Sequence, residues 1–293
     1  METNNTFTVA IIGGGPAGLT AALYLGRAQI NTLVIDADMC GGQIISSPLL
    51  ENVPGFYGPG VDLAMNMLEE VSKYPSVQFA NFTRVDSVEK TNNGYLLTLD
   101  DGGEVAAQYV ICATGSQPIH LPNTDQPNTH YCVTCDGPLY ENKTVAVVGG
   151  GNSALQYALE LTKYARQIYI VTNEDYLRGE EAVRERVFMN DRIEVITRFP
   201  VSYFNGSSLE SQWGDKLEVD GIFVAVGYRT NTDYLKGPNK VQGRFITDES
   251  YHLYSLDKIF AIGDCRYKKF NQVVIAMSEG CQAALQIISD LEK

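Results

Sequence analysis

Two cysteines stand two residues apart in Cys132-Val133-Thr134-Cys135, with Asp136 and Gly137 directly after them. A Cys-x-x-Cys at the start of a helix holds two sulfurs within disulfide reach, and the helix end favours a thiolate. Beside βαβ units in a cytosolic chain, this spacing reads as redox chemistry. Exchange with a disulfide needs two sulfurs, because one forms a mixed disulfide with the substrate and the other resolves it. The rival chemistry is zinc. His130-x-Cys132-x-x-Cys135 offers three ligands, but no second Cys/His pair stands at a finger-like spacing, so no metal site is expected. Cys40, Cys112, Cys265 and Cys281 are isolated and are expected to act as small buried hydrophobes. His120 and His252 show no partner pattern and read as surface or turn residues.

The elements that must position this pair come as a repeat. Val9-Ala10-Ile11-Ile12 is a β-branched run suited to a buried parallel strand, and Gly13-x-Gly15-x-x-Gly18 follows it. A helical stretch, Leu19 to Gln29, leads to the strand Leu33-Val34-Ile35, which ends at Asp36. The pattern recurs as Val145-Ala146-Val147-Val148, Gly149-x-Gly151-x-x-Ala154, a helix through Arg166 and a strand from Ile168 to Val171. In such a turn the first Gly permits the bend and the second lets the backbone reach a pyrophosphate. The third allows close helix–strand packing, and the helix N-terminus offers N–H groups to phosphate. The acid at Asp36 is placed to grip a ribose hydroxyl. Two copies predict two dinucleotide folds.

Three further runs, Tyr109 to Gly115, Gly221 to Gly227 and Ile259 to Asp264, each read as a buried strand with a glycine at the ligand edge. The last follows the second nucleotide fold, so its sheet is expected to be the first one. The predicted class is α/β, with two Rossmann-like, three-layer nucleotide-binding domains, the second inserted in the first. The expected boundaries are 1–116 with 246–293 for the first domain and 117–245 for the second. Between Phe199 and Asp220 the second domain reads as abbreviated, with little room for hairpins.

Composition bounds the function. The 293 residues, at about 150 per domain, are enough for two cores. With 44% apolar and 19% charged residues the chain is not disordered. Its 22 Lys and Arg against 35 Asp and Glu leave −13, which argues against nucleic-acid and anionic-membrane partners. The uncharged run Thr3 to Gly26 is broken by Gly13-Gly14-Gly15-Pro16. It also has Glu2 where a signal peptide carries a cation, so a cytoplasmic location is expected.

Together GGGPAG (13–18), GGQ (41–43), ENVPGF (51–56), ATG (113–115), CVTCDG (132–137), GGGNSA (149–154), GDC (263–265) and NQVVIA (271–276) resemble the low-molecular-weight thioredoxin reductases, a branch of the two-domain flavin disulfide reductases. The motifs run in the family's order over nearly the whole chain. The resemblance implies FAD in the discontinuous domain. Gly13, Gly15 and Gly18, with Pro16 and Ala17 between them, would face the pyrophosphate, and Asp36 the adenosine ribose. Gly42, Gln43 and Asn52 would lie on the flavin side, along with Ala113, Thr114 and Gly115. Gly263 and Asp264 would meet the ribityl chain, and Gln272, Val273 and Ala276 would form a helix start near the isoalloxazine. Asn271 stands where the family usually has Arg. The resemblance further assigns Cys135 to the flavin side, Cys132 to attack on the partner disulfide, and Asp136 to protonation of a leaving thiolate. Thioredoxin or a thioredoxin-like protein is the implied partner, and a homodimer the implied assembly.

The second nucleotide fold departs from the family. NADPH-dependent members carry His-Arg-Arg-x-x-Phe-Arg-Ala after the second strand, and here Thr172-Asn173-Glu174-Asp175-Tyr176-Leu177-Arg178-Gly179 stands instead. Two cations are gone and only Arg178 remains. At about 1.5–3 kcal/mol for each charge-assisted hydrogen bond, NADPH loses about two to four decades of affinity. NADH is poorly served too, because Thr172 rather than an acid sits opposite Asp36, and Gln156 replaces a Glu of the family. Reduced ferredoxin is therefore the favoured donor, as in the pyridine-nucleotide-independent relatives, with NADH second. Arg266, Lys268 and Lys269 are the expected basic patch for it. A flavin-dependent dithiol oxidase and a non-enzymatic redox sensor are the alternative functions.

Overall fold

The computed structural model describes residues 5–47, 50–254 and 256–293; Glu2 and the start of the uncharged run lie outside them. The chain divides into two compact units, Met1–Gln117 with Thr230–Lys293, and Pro118–Arg229. Six α-helices are found among the described residues: α1 (Pro16–Arg27), α2 (Gly60–Ser72), α3 (Val133–Asp136), α4 (Asn152–Leu161), α5 (Glu181–Phe188) and α6 (Val273–Leu291).

In the first unit the strand Thr6–Ile12 lies at the centre of a seven-stranded sheet. Thr32–Ile35 and Glu104–Cys112 flank it in parallel, and Val77–Ala80 continues beyond Thr32–Ile35. Val9, Ala10 and Ile11 are fully buried, as a strand covered on both faces requires. Gly94–Leu99 and Val85–Thr91 close the other side as an antiparallel hairpin. The late strand Ile259–Ala261 pairs in parallel with Glu104–Cys112, so the chain returns to the first sheet as expected. Helices α1 and α6 pack on one face. Gly280 of α6 lets them close up, because a Cβ there would lie 2.2 Å from the Ala17 carbonyl oxygen.

The return comes at Thr230, earlier than the expected 246. Tyr234, Leu235 and Phe245 are buried in the first unit's core with Val110, Cys112 and Ile259, and that apolar burial ties 230–245 to it. The second unit is built on a five-stranded parallel sheet in the order Thr129–His130, Gly221–Val224, Thr144–Val148, Gln167–Val171, Ile193–Ile196. Its 199–220 segment is not abbreviated. Val201–Phe204, Ser208–Ser211 and Lys216–Glu218 form an antiparallel meander, with Phe204 and Leu209 fully buried. Asn205-Gly206 and Gly214-Asp215 are its turns, and Asn-Gly is the turn signal that discloses a hairpin in sequence. Among the described residues no helix is long and apolar enough to cross a membrane.

Candidate active site

The first glycine turn is held by backbone contact. Gly13 has φ +107°, and a Cβ there would lie 2.3 Å from the Ala113 oxygen. A Cβ on Gly18 would lie 1.9 Å from the Gly13 oxygen, so strand, turn and helix touch through glycine. Pro16 opens α1, whose Gly15 cap has no side-chain bond and whose first turn has no acid. Its amides are left for an anion. Asp36 accepts from the Gly14 amide at 2.5 Å and from the Asp38 amide at 2.9 Å. Burial pushes its carboxyl above the usual range, and those two amides counter the effect only in part. The Gly42 loop folds onto this turn: Gly41 donates to the Gly14 oxygen at 2.8 Å, and a Cβ on Gly42 would lie 2.9 Å from Gly15 Cα.

The other positions named for the flavin converge on the same strand ends. Gln43 Nε2 donates to the Ser116 carbonyl, and Asn52 Nδ2 donates to Gln272 Oε1 at 3.3 Å. Thr114 Oγ1 donates to the Asn231 carbonyl at 2.7 Å, and Gly115 has φ +63°. Gln272 caps α6 without a side-chain bond, and Ala276 donates back to its carbonyl at 3.0 Å, so Val273 opens the helix with free amides. Uncapped amides beside Gly15 and Gln272, with a ribose acceptor at Asp36, fit FAD.

Asp264 follows Gly263 and is supported by a buried ion cluster absent from the sequence expectations. Glu279 of α6, 2% exposed, accepts from the Gly263 amide at 2.7 Å, Arg266 Nη2 at 2.9 Å and Lys268 Nζ at 3.1 Å. Lys268 also lies 3.5 Å from Asp264. Burial raises the Asp264 carboxyl, against the pull of Lys268 and Arg244. In the amide orientation that satisfies both partners, Asn271 donates to Asp264 at 3.3 Å and accepts from Arg244 Nη1 at 3.1 Å. Arg266 and Lys268 are thus internal, their side chains 21% and 7% exposed, and they form no docking patch; only Lys269 of that trio is exposed. Glu279→Gln is expected to lower stability by about 3 kcal/mol, because two buried cations lose their shared counter-charge. Urea unfolding of the holoprotein reads that loss, and FAD in the ultrafiltrate reads any loosening around Asp264.

In the second unit Cys132 and Cys135 are joined as a disulfide with Cα atoms 5.3 Å apart. Cys132 caps α3, its Sγ accepting from the Cys135 amide at 3.2 Å, and both residues are half-buried. Asp136 is buried, and its Oδ2 lies 3.3 Å from His130 Nδ1. The other His130 nitrogen, Nε2, meets the Tyr140 hydroxyl at 2.7 Å. Both ring nitrogens therefore face a polar partner. Of the four remaining cysteines, Cys40, Cys112 and Cys265 are buried and Cys281 is half-buried. Burial pushes the Cys40 thiol up to about 12 and Cys265 to about 11, so these stay protonated and unreactive.

The second glycine turn copies the first in backbone, with Gly149 at φ +140°, but not in charge. Thr172 replaces Asp36 and accepts from the Glu174 amide at 3.2 Å. The Glu174 carboxylate lies 3.5 Å from Arg178, and Asp175 lies 2.6 Å from Arg198. Glu180 adds a further carboxylate at the start of α4, bonded to the Asn152 amide group at 3.2 Å. Arg178 and Arg198 are thus each paired with an acid, while Arg184 Nη1 donates to the Leu177 carbonyl at 3.3 Å.

Residues 7–280 match the family described as Pyridine nucleotide-disulphide oxidoreductase. The chain is 34% identical to the 34.2 kDa protein in rubredoxin operon of Clostridium pasteurianum, over 97% of each chain. It is 32% identical to the thioredoxin reductase of Rickettsia felis, over 98% of this chain and 99% of that one. Its fold matches the solved thioredoxin reductase of Streptococcus pyogenes with a TM-score of 0.91 at 31% identity, covering 99% of both chains.

Proposed function

Because the chain belongs to the pyridine nucleotide-disulphide oxidoreductases, and among them to the FAD-dependent low-molecular-weight thioredoxin reductases, we propose that it reduces the disulfide of thioredoxin or a thioredoxin-like protein through Cys132 and Cys135. We further propose that its electrons come from reduced ferredoxin, not NADPH. Bound FAD would supply the electron pair that opens the Cys132–Cys135 disulfide. Gly13, Gly15, Gly18, Asp36, Asn52, Asp264 and Gln272 would hold it. The Cys132 thiolate then attacks the partner disulfide, Asp136 supplies the proton for the leaving sulfur, and Cys135 resolves the mixed disulfide.

The observation that carries the donor reading is the pairing of Arg178 with Glu174 and of Arg198 with Asp175. A 2′-phosphate would have to compete with a carboxylate for each cation. NADH is the runner-up, since Thr172 offers a hydroxyl where a ribose-gripping acid would stand. Two reduced ferredoxins would deliver the two electrons of one turnover. Their docking face does not include Arg266 or Lys268, which are committed to Glu279. A homodimer is part of this reading, supported by exposed apolar side chains on α2 and α6, Val61, Met65, Val274 and Leu285.

Anaerobic mixing of the oxidised holoenzyme with NADPH, NADH or reduced ferredoxin tests the donor. Flavin bleaching by ferredoxin alone, followed by thioredoxin reduction, is the expected result. Fast bleaching by NADPH would overturn it. Peroxide formed from added dithiols, with no thioredoxin turnover, would point to the oxidase instead.

A further inference from the structure

His130 is buried beside the redox pair and has no part in the thiol chemistry above. It ends the short strand Thr129–His130 and is 7% exposed. Phe223 lies against its ring at 5.2 Å and Tyr140 meets it edge-on at 5.3 Å, so the imidazole is fixed in place. Burial raises the Tyr140 phenol, with Asp136 and Asp220 adding to the effect, and it therefore stays a donor. His130 Nε2 hydrogen-bonds the Tyr140 hydroxyl at 2.7 Å, and Nδ1 lies 3.3 Å from the Asp136 carboxylate. Besides Asp136 and Asp220, Lys143 stands near, its Nζ 5.2 Å over the Tyr140 ring.

We propose that His130 is a positioning residue for Asp136, orienting its carboxyl and sharing its proton, so that the His130–Asp136 pair and not Asp136 alone protonates the leaving thiolate. This rests on the proposed disulfide reductase activity. An imidazole 3.3 Å from a buried carboxyl can hold the proton that the carboxyl delivers.

In the step itself, the Cys132 thiolate attacks one sulfur of the partner disulfide. That S–S bond breaks, the Cys132–partner bond forms, and the second partner sulfur leaves with the electron pair and takes the proton from the His130–Asp136 pair. The Cys135 thiolate then attacks Cys132 Sγ and releases the first partner sulfur, which takes its proton from water. The enzyme pair is oxidised by two electrons and the partner reduced by two. The His130–Asp136 pair regains its proton from solvent.

The test uses pre-reduced holoenzyme and oxidised thioredoxin in single turnover across pH, with His130→Gln and Tyr140→Phe. Gln keeps a donor toward Asp136 but does not titrate. His130→Gln is expected to be at least about 10-fold slower at neutral pH and to lose the rate inflection near the imidazole range. Tyr140→Phe should retain that inflection but displace it. The chain has only three histidines, so the His130 imidazole signal can be followed by NMR. Its midpoint should fall in Asp136→Asn, where the anionic neighbour is lost. A His130→Gln profile matching wild type, or an unmoved His130 midpoint in Asp136→Asn, overturns the pairing while leaving the disulfide reductase intact. If wild type reduces no disulfide, the proposed function fails instead. Should His130→Gln not fold, the NMR comparison still decides.

Discussion

Cys135→Ser is expected to give a folded, yellow protein that turns over no disulfide, with a rate loss on the order of 10³-fold or more. Its remaining Cys132 keeps the exposure needed for attack, since both cysteines are half-buried and neither is walled into the core. Mixed with a thioredoxin activated at one cysteine, this variant should accumulate a mixed disulfide that no internal thiol can resolve. A non-reducing gel reads it directly. Cys132→Ser should be equally dead in turnover but should capture little partner, because Cys135 is assigned to the flavin side. Capture by Cys132→Ser and not by Cys135→Ser would reverse the roles. Turnover by either variant would sink the dithiol mechanism. The fold should survive both changes, because the pair closes a loop of only a few residues and the surrounding core of Val133, Tyr140 and Phe223 is untouched.

The second large effect concerns the nucleotide. Asn173→Arg with Glu174→Arg should tighten NADPH binding by about two decades. Two new charge-assisted hydrogen bonds at about 1.5–3 kcal/mol each would give two to four decades, and solvent exposure argues for the lower end. Removing Glu174 also frees Arg178, now 3.5 Å from its carboxylate. Titration of the holoprotein with NADPH and NADH measures it. NADPH should gain and NADH should not, because only NADPH carries the 2′-phosphate. Equal gains would mean that the acids are not what excludes NADPH. The gain should shrink with added salt, as partly exposed charges are screened.

Much of this was legible along the chain because it is local. A glycine turn between a β-branched strand and a helix is written in about ten consecutive residues, and both copies form it, although the second helix ends at Leu161 and not at Arg166. The strand Ile259–Ala261 was assigned to the first sheet from chain order alone, and it pairs there with Glu104–Cys112. The meander over 201–218 escaped because its strands are three or four residues long and half polar, with Asn205-Gly206 as the one clear signal. The return at Thr230 escaped because the segment to Phe245 is loop-rich, and its allegiance is set by which core buries Tyr234 and Phe245.

The charges divide in the same way. Sequence alone determined that Glu174 and Asp175 follow the second strand of the second fold and that Cys132 and Cys135 stand at redox spacing, since both depend only on residue type and position. It could not say which cations are free. Arg266 and Lys268 look like a surface patch until folding sets them against Glu279, a helical turn and more along the chain. His130 has no role assigned in the sequence, and the sheet edge, α3 and the turn at Gly137–Tyr140 set it between Asp136 and Tyr140. A charge acquires its meaning from its nearest neighbours and its burial, and both are properties of the packed chain.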